Sequence, residues 1–309
     1  MRIASKTYMD MLQRSIREAE NRLGVLTQQI TSGKRINHPS DDPVAASQAL
    51  RAHAELQKTL SSQKTLERAV QLNGALDSAM ADLSTPLQTA YNAALKATQV
   101  GLDEAGRAAC AEEVRSAMTR IITVGNSEFN GTYLLAGTSN REAPLTETGD
   151  DSDVVQYNGD TYQMRISIAP GRTAEIAVTG RQLFNFADAS GNRPVSAVDD
   201  DLFQVMADLA RDIEVGYEDG IAEHMEQLKT LQEHVLMQRG IVGGYGLRLD
   251  QSLTLAENAE LQARTLLADI EDVDMVNALL EAESQKTAYQ AALAATANIA
   301  QMPTLFDWL

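Results

Sequence analysis

Cysteine is almost missing from this chain of 309 residues. Cys110 stands alone, so no intrachain disulfide can form and CxxC metal or redox sites are excluded. No apolar run approaches the roughly 18 residues that a membrane span needs. Met1 to Ser15 mixes polar and apolar residues without the apolar stretch of a cleavable signal. The expectation is a chain that is cytoplasmic, or exported by a route that reads an uncleaved sequence. Basic clusters are missing too: 26 Lys and Arg stand against 43 Asp and Glu, a net charge of −17 that repels phosphate backbones and anionic lipid. Nucleic acid is therefore not an expected partner. Aromatic residues are only 5%, but 44% of the chain is hydrophobic, enough for a packed core and two or three domains.

What is abundant is helical periodicity. Met9, Leu12, Ile16, Ala19, Leu23, Leu26 and Ile30 follow one another at steps of three and four, a heptad seam. Gly33 stands where such a helix stops, and Asn37 to Pro43 reads as a turn in which Asp42 caps the next helix and Pro43 is its first residue. A second helix is expected from Val44 to about Val100, with the seam Leu66, Ala69, Asn73, Leu76, Met80, Leu83, Leu87, Ala90 and Ala94 and a kink at Pro86. Cys110, Val114, Ala117, Ile121 and Val124 mark a third before residue 126.

Between Asn126 and Pro194 glycine and proline accumulate. Tyr162, Met164, Ile166 and Ile168 alternate with Gln163, Arg165 and Ser167 at the period of a half-buried strand. Asn158-Gly159 is read as a hairpin turn joining that strand to Val154–Tyr157. Helices return with Leu202, Val205 and Leu209, then Ile221, Leu228, Leu231, Val235 and Val242. From Leu247 to Met302 neither glycine nor proline occurs, so a single helix of roughly 56 residues, about 84 Å long, is predicted. Its seam, Leu249, Leu253, Ala256, Ala263, Leu267 and Ile270, slips before resuming as Leu279, Ala282, Tyr289, Leu293 and Thr296. Lys286 interrupts the second part.

The simplest way for both ends to cover their seams is to lie against each other. The expected fold is mainly α: long coiled-coil-like N- and C-terminal helices packed together, a helical bundle, and a small inserted β domain. The terminal segments look marginal in a monomer, because fixing some 40 residues costs roughly 1 to 2 kcal/mol apiece. They should order by packing against neighbours.

The run Gln28 to Ala46, QQITSGKRINHPSDDPVAA, resembles the N-terminal segment of the flagellin superfamily. Within it, Gly33-Lys34-Arg35-Ile36 followed by Pro39-Ser40-Asp41-Asp42-Pro43 is closer to the hook-filament junction branch than to filament subunits, which usually lack both prolines. Asn130 to Gly137 resembles the end of that branch's third helix, Gly180 to Phe184 the exit of its variable domain, and Ser284 to Leu309 its C-terminal helix.

The resemblance implies a structural, non-enzymatic protein without cofactors. It would be exported unfolded, with no cleaved signal, through a type III channel and assembled outside the cell between hook and filament. It implies a terminal coiled-coil assembly domain (1–42 and 270–309), a helical-bundle domain (43–139 and 198–269) and a β-rich outer domain (140–197). The implied partners are further copies in a ring, an adjoining hook-associated protein, flagellin and an export chaperone; no membrane span is implied. Candidate assembly residues are Leu12, Ile16, Leu23, Leu26, Ile30, Leu279, Tyr289, Leu293 and Ile299, with Gly33, Pro39, Asp41, Asp42 and Pro43 as the interhelical turn motif. A short filament subunit is the competing reading.

Other polar features have structural explanations. His38, His53, His224 and His234 lack an ExxH or HExxH neighbour. His38 is read as a turn residue and His224 as packed or partly solvated. Asp41 and Asp42, within the interhelical turn, are explained by helix capping rather than as an acid-base pair, and Asp150, Asp151 and Asp153 read as a solvated loop. Gly240, Gly243, Gly244 and Gly246 lack the strand and GK[ST] of a phosphate loop and are read as a joint between two helices. Asn130-Gly131-Thr132 matches a glycosylation sequon by chance as easily as by design. Cys110, on a seam, is read as an inert buried thiol.

Overall fold

The computed structural model describes residues 2–99, 101–139, 141–147, 154–169, 171–188 and 190–300, with backbone alone at 2–9, 169 and 298–300. Asp150, Asp151 and Asp153 lie outside the described residues. In chain order the elements are α1 (Arg2–Ser32), α2 (Pro43–Asp82), α3 (Ser84–Ala97), α4 (Glu104–Gly125), β1 (Glu128–Phe129), β2 (Thr132–Tyr133), β3 (Leu145–Glu147), β4 (Val155–Tyr157), β5 (Arg165–Ala169), β6 (Arg172–Glu175), α5 (Gly180–Leu183), α6 (Leu202–Val215), α7 (Glu218–Glu271) and α8 (Met275–Ala300). Two compact units result. Met1–Thr59 with Asn258–Leu309 forms the terminal unit, and Leu60–Glu257 the central one.

The central unit is built on the periodicity read from the sequence. Leu66, Ala69, Leu76, Met80 and Leu83, then Leu87, Ala90 and Ala94, are buried along α2 and α3, as are Cys110, Val114, Ala117 and Ile121 on α4. Phe203, Val205, Met206, Leu209 and Ile213 of α6 and Leu228, Leu231, Val235 and Val242 of α7 complete that core. The expected second helix is two: α2 stops at Asp82 and α3 starts at Ser84, with Pro86 in the first turn of α3, where a missing N–H costs nothing. Among the described residues four helices thus precede residue 126 instead of three. Asp103 caps α4 by accepting from Gly106 N (2.8 Å), and Asp201 caps α6 by accepting from Phe203 N and Gln204 N. Gly216, at φ +80°, ends α6 in the left-handed conformation.

The hairpin expected at Asn158-Gly159 does not form. β4 pairs antiparallel with β3 and β5 with β6, while β1 pairs with β2. A two-residue Asn-Gly hairpin of the usual primed kind needs positive φ at both positions, and neither Asn158 nor Gly159 has it; Asn130 (φ 52°) and Gly131 (φ 75°), between β1 and β2, do. Gly159 is pressed against the Tyr157 ring and the Ala136 carbonyl, leaving no space for a Cβ. The Tyr157 hydroxyl donates to Leu135 O at 2.8 Å, and burial pushes its pKa up to about 12. The alternation holds for Met164, Ile166 and Ile168, which pack on Leu66, Ala69, Ile176 and Leu249, whereas Tyr162 is exposed. Segment 140–197 thus feeds the central core, through Leu145, Val155, Leu183, Phe184 and Phe186.

The predicted single C-terminal helix is also two. α7 runs unbroken through Gly240, Gly243, Gly244 and Gly246, so those glycines are no joint, and the break falls at Asp272–Asp274. Buried Val235, Val242 and Leu249 hold α7 to the core on both sides of the glycines. Gly246 has a steric reason: a Cβ there would lie 2.7 Å from Oδ1 of Asn73, whose buried Nδ2 donates to Ile176 O and Val242 O. At the real break Asp274 restarts the chain as α8 by accepting from Val276 N and Asn277 N.

Candidate assembly surface

The terminal unit brings the two chain ends together. Gly33, at φ +71°, stops α1, and Asp41 and Asp42 shape the return into α2. Asp42 Oδ1 accepts from Val44 N and Ala45 N, the cap expected of it, whereas Asp41 caps no helix: its Oδ2 accepts from Asn37 N and His38 N and closes the turn. Pro43 is the first residue of α2, while Pro39 and His38 are exposed, with His38 3.1 Å from Gln28.

This turn is tied to the α7–α8 break. Arg35 N donates to Glu271 O (2.6 Å), Val273 N to Gly33 O (3.0 Å) and the Arg35 guanidinium to Ile270 O (2.9 Å). Between them the Glu271 carboxylate, a residue only 9% exposed, takes Lys34 Nζ on Oε2 at 2.6 Å and His53 Nε2 on Oε1 at 2.8 Å. Burial raises the Glu271 pKa, but the hydrogen bonds and charges of Lys34 and His53 outweigh it and hold the carboxyl below its ordinary value. None of Lys34, His53 and Glu271 was singled out from sequence as a group. They are 237 and 218 residues apart, and the one local signal was the seam slip beside Glu271.

Beyond this clamp α1 and α8 pack antiparallel, with Arg22 Nε 4.0 Å from Glu281 Oε1. Leu12, Ile16, Ala19, Leu23 and Ile30 are half-buried and Leu26 buried, so the α1 seam has the register read from its spacing. On α8 the expected seam holds at Ala282, Tyr289 and Thr296 and fails at Leu279 and Leu293. The covered residues are Ala278, Ala282, Gln285, Tyr289, Ala292 and Thr296, while Leu279 and Leu293 are exposed. Small residues of α8 face the branched side chains of α1, and the larger leucines point away. Lys286 therefore interrupts no buried seam; it lies outside, 3.4 Å from Glu283. The side chain of Ile299 is outside the described residues, as is that of Met9.

The outer faces of the unit expose large apolar side chains: Met11 and Val25 on α1, Leu261 and Leu266 on α7, Val276, Leu279, Leu280 and Leu293 on α8. Singly such residues need no explanation. No group of three His, Cys, Asp or Glu side chains among the described residues could hold a metal ion. His224 lies 3.0 Å from Asp212, His234 contacts the Gln182 carbonyl, and Cys110 is buried. No described helix is long and apolar enough to cross a membrane.

Comparison with known proteins meets the same residues. The family described as the bacterial flagellin N-terminal helical region matches residues 3–140, which include the α1 seam and the Gly33–Pro43 turn. Flagellar hook-associated protein 3 of Escherichia coli is 25% identical over 307 residues, covering 94% of both chains. Along its N-terminal helices the chain is similar to flagellin-type proteins. Its namesake in Salmonella typhimurium is 30% identical over 189 residues, an alignment spanning 60% of this chain and 57% of that protein. The structure of Xanthomonas campestris FlgL has the same fold over 71% of this chain and 99% of its own, with a TM-score of 0.58 at 15% identity.

Proposed function

We propose that this chain is a structural adaptor of the bacterial flagellum, joining the hook to the flagellin filament through another hook-associated protein and so required for motility. The observation that carries the reading is the paired α1 and α8, whose inner seam is satisfied within the chain while rows of leucine, valine and methionine remain outside. A protein of this kind performs no catalysis; its work is to hold neighbours. The terminal segments 1–42 and 270–309 form the assembly domain in this reading, with Leu12, Ile16, Leu23, Leu26 and Ile30 building its inner framework and Leu279 and Leu293 free for neighbours. Tyr289 belongs to the framework, and the turn of Gly33, Pro39, Asp41, Asp42 and Pro43 aims α1 against α8. Further copies in a ring, an adjoining hook-associated protein and flagellin are its partners outside the cell, and a chaperone receives it before type III export without signal cleavage.

The competing reading, a short filament subunit, would place the same helices in a longer tube. A relative named flagellar hook-associated protein 3, similar over nearly the whole chain, favours the adaptor. Deleting the gene from the bacterium that carries it separates the two. An adaptor's loss leaves hooks on the cell and flagellin in the medium; loss of a filament subunit leaves bare hooks with the remaining filament proteins absent from the medium, and that result would overturn the proposal.

A further inference from the structure

Three Asn-Gly pairs occur in the chain: Asn73-Gly74, Asn130-Gly131 and Asn158-Gly159. This dipeptide has a chemistry of its own. The backbone nitrogen of the glycine is a nucleophile within reach of the asparagine Cγ, and glycine has no Cβ to shield it. Each pair follows a large apolar residue, Leu72, Phe129 or Tyr157, so the three are nearly alike in sequence. The fold makes them unequal.

Asn73 is buried inside α2, where its Nδ2 donates to Ile176 O and Val242 O and the N–H of Gly74 belongs to the helical ladder. Asn158 is pinned twice: Nδ2 donates to Thr146 Oγ1 and the backbone N to Pro144 O, both at 2.8 Å. Gly159 behind it is wedged against the Tyr157 ring and the Ala136 carbonyl. At either place these bonds must break before the glycine nitrogen and Cγ can join. Asn130-Gly131 differs on every count. Both residues are exposed in the turn between β1 and β2, and the space around Gly131 is open. Among the described residues neither the Asn130 carboxamide nor the Gly131 N–H has a hydrogen-bond partner. The hairpin is short as well, its ladder being Glu128 opposite Tyr133 and Phe129 opposite Thr132, so the turn opens at little cost.

We infer that Asn130 is a site of spontaneous covalent modification, in which the Gly131 nitrogen displaces ammonia from its carboxamide. The Gly131 nitrogen gives up its proton and bonds to Asn130 Cγ. The Cγ–Nδ2 bond breaks, and Nδ2 leaves as ammonia with that proton, closing a succinimide ring. Solvent water then opens the ring at Cγ, which yields aspartate, or at the backbone carbonyl carbon, which yields isoaspartate with the chain running through Cγ. Nothing is oxidised or reduced. Either product sets a carboxylate beside the exposed Glu128, and the isoaspartyl form lengthens the backbone so that the tight turn no longer fits. Leu134 and Leu135 stay anchored in the central core, which confines the change to β1 and β2.

The test is peptide mapping of the purified full chain after incubation in mildly alkaline buffer made with heavy-oxygen water, using fragmentation that separates aspartate from isoaspartate. Label should enter residue 130, mostly as isoaspartate, about tenfold or more faster than residue 158 or 73, because those two require local opening first. A parallel incubation in urea removes the fold, and the three rates should converge. Equal rates in the folded chain would overturn the inference, as would an Asn130 that reacts only in urea. A difference that persisted in urea would also overturn it, by placing the selectivity in neighbouring side chains instead of the fold.

Asn130→Gly gives a second readout. Glycine keeps the positive-φ turn and lacks the carboxamide, so the variant should melt as the parent does yet lose the acidic form that accumulates in the parent on ion exchange. If that form appeared at the parent's rate, the new charge would belong to another residue and the assignment to Asn130 would fall.

Discussion

Two residues hold far more of the chain in place than their immediate neighbourhoods suggest. Asn73 lies on an otherwise apolar seam, and its amide reaches a carbonyl before α5 and another inside α7. Asn73→Ala leaves both without this donor and should cost the central unit about 1 to 3 kcal/mol in urea unfolding. Its place on the seam was legible in the sequence; its bonding was not, because both acceptors are backbone atoms more than 100 residues away. Glu271 plays the corresponding part in the terminal unit. Its folded pKa is depressed, so its contribution to stability is present above the unfolded carboxylate pKa and lost as pH falls through the folded value. Glu271→Gln should therefore melt earlier than the parent at neutral pH, by about 1 to 2 kcal/mol. The difference should disappear in acid, and a gap that stayed constant across that titration would assign the loss to packing instead of charge.

At the level of elements, α7 shows how little glycine alone says about a helix. A cluster of four reads as a joint by propensity, yet apolar residues on either side hold one continuous helix against the core. Three of them should respond to alanine in opposite ways. Gly240 and Gly243 have open space where a Cβ would go, so Gly240→Ala and Gly243→Ala should each stabilise by about 0.5 to 1 kcal/mol, whereas Gly246→Ala collides with Asn73 and should destabilise. Thermal melts of the three variants check the signs. In α8 the heptad spacing was visible and placed Ala282, Tyr289 and Thr296 on the covered face, but the large side chains drew Leu279 and Leu293 into the same seam although both are exposed. Covered positions here are mostly small, and periodicity weighted by hydrophobicity misses a face built from alanine, glutamine, tyrosine and threonine. Proline at Leu293 would interrupt both faces, costing about 3 kcal/mol. Leu293→Pro should leave the melting of the central unit nearly unchanged while flagellin is shed into the medium.

For the molecule as a whole, the mainly helical class and the meeting of the two ends followed from seam spacing, while the place of segment 140–197 did not. Its short strands and turns look self-contained in sequence, but Ile176, Leu183 and Phe184 are fully buried among helices of the central unit. Replacing 141–195 by a short Gly-Ser linker would remove several large core side chains at about 2 to 5 kcal/mol each, comparable with the whole stability of a domain. The shortened chain should lose cooperative melting of the central unit, and retention of a sharp transition would show that the segment is an independent module.

The clamp at Glu271 also imposes a schedule. A chain that emerges N-terminus first presents Lys34 and His53 long before Glu271, and the central unit is contiguous in sequence whereas the terminal unit is not. The first helix to appear is thus among the last to find its mate. The α1 seam is covered only once the tail has arrived, so a chain cut short of α8 would leave its first helix without a mate.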